Sequence, residues 1–103
     1  MNYNISVTNL AMHDLANITR YISEELCNPT AATSLLDTID DCYKNLETMP
    51  MMFERCNNSR LRDMGYRRAV IKNYIMVYRI AESERTVYIL RFFYGAQEYE
   101  KLI

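Results

Sequence analysis

The spacing of apolar and polar positions changes along this chain, and each change marks an element. Residues 2–8, Asn-Tyr-Asn-Ile-Ser-Val-Thr, alternate with Tyr3, Ile5 and Val7 on one side, as a half-buried strand does. Thr8 or Asn9 then offers an N-cap oxygen. Leu15, Ile18, Ile22 and Leu26 follow at spacings of three and four, which is one face of a helix. Asn28-Pro29 ends that helix and opens the next, Asn as N-cap and Pro at the first helical position. A second stripe runs through Ala32, Leu35/Leu36, Ile39, Cys42/Tyr43 and Leu46, with Asp37, Asp40, Asp41, Lys44 and Glu47 opposite. Asp40 and Lys44 make a favourable acid-before-base pair. The residue before a proline avoids the α region, so this helix stops before Met49-Pro50. Residues 50–64 hold no sustained period and are expected to be a mobile loop, with a turn at Asn57-Asn58-Ser59.

From Gly65 to Tyr99 the texture changes to β-branched and aromatic residues with short polar breaks. Strands are expected at 66–71, 74–81 and 86–94, turning at Lys72-Asn73 and at Glu82-Ser83-Glu84-Arg85, as an antiparallel meander. Residues 96–103 suit one or two helical turns, or a tail. The order is strand, helix, helix, strand, strand, strand. The first strand is expected to join the sheet and the helical hairpin to cover one face of it. The fold class is therefore α+β, a two-layer single domain over residues 1–103.

Composition narrows the classes further. Half of the residues are hydrophobic and 24% are charged, which argues against disorder. No apolar run approaches the ~20 residues of a membrane span, and no signal peptide is visible. Cys27, Cys42 and Cys56 are odd in number and form no Cys-x-x-Cys, and His13 stands apart from the last two. Neither a metal site nor a disulfide framework is expected, nor any cofactor, and a reducing cytoplasm is the expected compartment. Cys42 reads as a core residue. The net charge is −1, yet cations outnumber acids between Arg55 and Arg91, so the sheet half is locally basic on a nearly neutral molecule.

A turn centred on Ser83-Glu84 sets Arg79 opposite Tyr88, Val77 opposite Leu90 and Ile75 opposite Phe92. The other face then carries Tyr74, Met76, Tyr78, Ile80, Val87, Ile89, Arg91 and Phe93. Neither face is polar, and one helical hairpin covers only one of them. The second face is expected to be an aromatic, aliphatic and arginine-bearing patch that a partner occupies.

Six motifs stand in register along the chain: Leu15-x-x-Ile18-x-x-Tyr21-Ile22, Pro29-x-x-Ala32, Leu46-x-x-Met49-Pro50, Leu61-Arg62-x-x-Gly65-Tyr66-Arg67, Asn73-Tyr74-x-x-x-Tyr78-Arg79 and Val87-x-Ile89-Leu90-Arg91-x-x-Tyr94-Gly95. On these the chain resembles, nearly end to end, the RelE/ParE superfamily of type II toxin–antitoxin toxins, the plasmid stabilisation proteins. The resemblance implies a cytoplasmic toxin, hetero-oligomeric with a cognate antitoxin that wraps the open face and cleft. RelE-like members cleave mRNA on the ribosome with cations and one tyrosine or histidine. ParE-like members block DNA gyrase. Positions that carry cations or an acid/base in nuclease relatives are here Ile75, Phe93 and Gln97. The ParE-like branch is therefore favoured over the endoribonuclease, with a non-toxic antitoxin binder as a third reading. The catalytic candidates, if it is a nuclease, are Arg67, Arg91 and Tyr94. The candidates for binding target or antitoxin are Arg62, Arg68, Tyr74, Met76, Tyr78, Arg79, Phe93, Gln97 and Tyr99.

Overall fold

A computed structural model describes residues 2–95. Strand β1 (Asn4–Val7) leads into helix α1 (Asn9–Arg20), then helix α2 (Pro29–Thr48), a short helix α3 (Ser59–Asp63) and strands β2 (Arg67–Ile71), β3 (Tyr74–Ala81) and β4 (Thr86–Tyr94). The sheet order is β1-β4-β3-β2, with β1 parallel to β4 and the other pairs antiparallel. The α+β class, the joining of β1 to the sheet and the three-strand meander are as expected. The segment 96–103, with Gln97 and Tyr99, lies outside the described residues.

Local chemistry accounts for the helix ends. The Thr8 hydroxyl accepts from the Ala11 N–H at 3.2 Å and donates to the Ile89 carbonyl at 2.9 Å, so one cap both starts α1 and ties it to β4. Asn28 Oδ1 accepts from Ala31 N–H at 3.1 Å, with Pro29 at the first helical position. The buried stripe of α2 is Ala32, Leu35, Ile39, Cys42 and Leu46. These residues pack with Ala11 and Ile22 against Ala69, Ile71, Met76, Tyr78, Val87, Ile89 and Phe92 of the sheet.

Three features differ from the sequence reading. First, α1 does not run as a uniform α-helix to Leu26. Its end widens at Tyr21–Glu25 into π geometry, with Leu26 N–H bonding Tyr21 O at 3.1 Å. The extra residue in that turn leaves Ile22 buried and turns Leu26 out to solvent.

Second, the β3–β4 register keeps Arg79 opposite Tyr88 but shifts between Val77 and Tyr78. Val77 then faces Arg91 and Ile75 faces Phe93, because Leu90 is the extra residue of a β-bulge. Arg91 and Phe93 accordingly share the face of Ile75 and Val77, not that of Tyr74, Met76 and Tyr78.

Third, the segment expected to be a mobile loop is a lid. Asn58 Oδ1 caps α3 through the Leu61 N–H at 3.2 Å, so the Asn-Asn-Ser signal starts a helix. Leu61 and Cys56 are fully buried against Ile75, Val77 and Phe93. The second sheet face is thus not left open as expected. The chain seals its centre with its own residues.

Candidate functional site

Of the residues singled out from the sequence, Arg62, Arg68, Arg79, Arg91 and Phe93 lie on or around the sealed second face. Arg91 leaves β4 and curls around the strand edge to α1. Its Nε donates to Asp14 Oδ2 at 2.6 Å and its Nη2 to Oδ1 at 3.1 Å. The Phe92 N–H donates to the same carboxylate at 3.1 Å. β1 pairs only with Thr86–Ile89. Beyond that point a carboxylate of α1 takes a place on the β4 edge that a further strand residue would hold. The bonded carboxylate and its charge raise the Arg91 pKa, against a smaller lowering by burial. The guanidinium also lies over the Phe93 ring, 4.9 Å from its centroid. Arg91 is therefore a paired cation, and with Asp14, Asn17 and Tyr94 it lines a hollow of about 280 Å³.

The other arginines divide between committed and available. Arg67 lies on the helix-covered face and donates to the Phe53 carbonyl at 2.7 Å. Arg68 lies on the second face, 3.5 Å from the exposed Glu54 carboxylate, and its buried Nε has no hydrogen-bond partner. Arg79 stacks over Tyr88 at 4.5 Å, beside the Tyr88–Glu84 hydrogen bond. That bond and the neighbouring carboxylate raise the Tyr88 pKa. Arg62 is exposed on α3. The bulge thus puts Arg91 on the same sheet face as Arg68, on either side of Val77, while Arg67 opposite Tyr78 stays on the helix-covered face.

Met76 and Tyr78, expected at a docking surface, are fully buried in the helix-covered core, and Phe93 is buried under the lid. None of the three offers surface to a partner in this fold. Tyr78 donates to the Pro50 carbonyl at 2.9 Å, and burial raises its pKa to about 12. Tyr74 and Tyr94 do lie together. Their rings meet edge-on at 5.8 Å, and with Asn17, Ile18, Tyr21, Leu26 and Asn73 they line a groove of about 640 Å³. Burial, then the neighbouring Tyr94 and Tyr21, raise the Tyr74 pKa. Tyr21 and Leu26, missed from the sequence, reach this groove only because of the π turn. Among the described residues, no three His, Cys, Asp or Glu side chains converge as a metal site, and no helix is long and apolar enough to cross a membrane.

A family model described as the ParE toxin of type II toxin–antitoxin systems, parDE, matches residues 5–99. The chain belongs to that family. Three solved structures share the fold. The chromosomal ParDE system of P. aeruginosa aligns with a TM-score of 0.70 at 19% identity, over 89% of this chain and 95% of that one. The RelBE2 complex of Mycobacterium tuberculosis gives 0.64 at 20% identity, over 91% and 99%. The archaeal RelE-RelB complex of Pyrococcus horikoshii OT3 gives 0.64 at 13%, over 94% and 99%. No curated protein sequence matches the chain.

Proposed function

We propose that this chain arrests growth by binding an essential bacterial protein machine such as DNA gyrase, without cutting RNA, and that a cognate antitoxin neutralises it in the cytoplasm as a hetero-oligomer. The observation that carries this reading is the Arg91–Asp14 pair. Cleaving RNA through the ribose 2′-OH builds up negative charge on an in-line phosphorane, and only cations aimed at that point lower its energy. Arg91 already spends its charge on Asp14, and Arg67 is turned away toward the Phe53 carbonyl. Leu61, Ile75, Val77 and Phe93 fill the centre of the face. Tyr94 lines a groove with Ile18, Tyr21, Leu26 and Tyr74, which suits protein side chains.

The proposal is tested with purified protein and gyrase in a supercoiling assay. Loss of supercoiling at micromolar toxin supports it. Unimpaired supercoiling, together with cuts in mRNA at the ribosomal A site that Arg91→Ala abolishes, would establish the endoribonuclease instead. Normal growth on expression without any antitoxin would point to a non-toxic binder.

A further inference from the structure

We propose that the groove between the π turn of α1 and the strands β3 and β4 is a binding site for a slender aliphatic polycation, the chemistry of a polyamine. Tyr21, Tyr74 and Tyr94 line its centre of about 640 Å³, with Ile18 and Leu26 as aliphatic walls. The Tyr74 and Tyr94 rings meet at 67° with centroids 5.8 Å apart, a corner to which Tyr21 adds a further side. Aromatic rings attract an ammonium group, and more strongly once it has shed its water. The π turn holds Tyr21 53% and Leu26 56% exposed at this place. A regular helix would have carried the inward stripe of Leu15, Ile18 and Ile22 on to Leu26. Leaving a leucine in water is unfavourable, and a guest whose methylenes cover it offsets that loss.

Charge selects the guest. At the π turn the groove continues into a hollow of about 290 Å³ that shares Asn17 and Tyr21 and is bordered by Arg20, Glu24 and Glu25. Among the described residues no ion pair engages Glu24 or Glu25. Arg20 is turned to Asn17, its Nη2 donating to Oδ1 at 2.9 Å. Two carboxylates against one guanidinium leave this end acidic. Lys72, beside Asn73 in the β2–β3 turn, is drawn off to Ser34 Oγ at 2.7 Å. In the other direction the groove meets the hollow of Asp14 and Arg91, whose charges already answer each other. The site is therefore elongated, aromatic at its centre and negative at one end. A diamine or triamine fits that order. One ammonium lies beside Glu24 and Glu25, methylenes cover Leu26 and Ile18, and a second ammonium meets the tyrosine rings. A single lysine side chain carries one charge and leaves either the rings or the carboxylates unanswered.

The inference stands apart from the choice of target in the cell. The probe is spermidine, added to the isotope-labelled full chain while the ring signals of Tyr21, Tyr74 and Tyr94 and the Leu26 methyls are followed by NMR. Saturable shifts of these signals with a Kd of about 1 mM or lower are expected. Triethylene glycol, a neutral chain, and Mg²⁺, a compact dication, should each bind about tenfold more weakly. Tyr21→Leu keeps the apolar wall and removes a ring, whereas the double variant Glu24→Gln/Glu25→Gln removes only charge. Both changes fall at exposed positions, and each should weaken spermidine binding about tenfold. Equal competition by Mg²⁺ would reduce the effect to general charge screening, and equal binding of the glycol would make the groove merely apolar. Tighter binding of a lysine-bearing tripeptide would assign it to protein side chains. Movement of the same signals with protein concentration alone would assign it to a second copy. Overhauser contacts from residues 96–103 to Leu26 in the free protein would assign it to the chain's own end. Each of these results overturns the proposal.

Discussion

Asp14 on the first helix and Arg91 on the last strand clasp each other across the edge of the sheet, with Nε to Oδ2 at 2.6 Å. Their side chains are 14% and 26% exposed, so the pair is shielded but not isolated from water. Replacing Asp14 by Asn takes away the charge Arg91 answers and weakens the acceptor for Phe92 N–H. A loss of about 2 kcal/mol in urea unfolding is expected. The double variant Asp14→Asn/Arg91→Gln should lose less than the sum of the two single changes, because each alone strands the other partner.

The lid makes a second prediction. Leu61 is the side chain by which α3 grips the second face. Leu61→Ala should cost about 3 kcal/mol and expose Ile75, Val77 and Phe93. A hydrophobic dye that ignores the native protein should then bind the variant before global unfolding. A variant as stable as the native protein and silent toward the dye would mean that the lid contributes nothing.

Two tyrosines should respond in opposite directions to loss of their hydroxyls. Tyr78 OH has a partner in the Pro50 carbonyl, whereas the buried Tyr43 OH has none. Tyr78→Phe should destabilise by about 1 kcal/mol, and Tyr43→Phe should be neutral or stabilising. Burial raises both pKa values from 10.0 to about 12. A raised folded-state pKa means that this contribution is whole below pH 10.0 and is lost as pH climbs through about 12. Unfolding midpoints taken across that window should fall more gently in each Phe variant than in the native chain.

Thiol accessibility separates the cysteines. Cys27 is exposed, while Cys42 and Cys56 are buried. Burial also lifts the Cys42 thiol to about 11, away from the reactive thiolate. A thiol reagent at neutral pH should titrate one group quickly, identified as Cys27 by its loss in Cys27→Ser. The other two should react only as the chain unfolds.

Much of the architecture was legible because period and punctuation agree. Asn28-Pro29, Met49-Pro50 and the alternation through Val70, Tyr78 and Val87 mark elements by rules local to a few residues. The bulge at Leu90 was not legible, since nothing in Ile89-Leu90-Arg91 tells a regular strand from one with an extra residue. That single residue moved Arg91 and Phe93 to the other face. The lid was missed because one short helix with one buried leucine has no period to detect. The Asp14–Arg91 pair joins residues 77 positions apart, and only the packing of α1 along the β4 edge brings them together. The sequence singled out Arg91 as a candidate for chemistry, and the structure pairs it with Asp14.

Toxin expression without antitoxin, followed in one culture for both plasmid linking number and mRNA 5′ ends, puts the central claim to its most direct trial. A protein that acts by gripping gyrase should relax the plasmid while transcripts stay whole. New 5′ ends at ribosomal A sites with plasmid topology unchanged would contradict it.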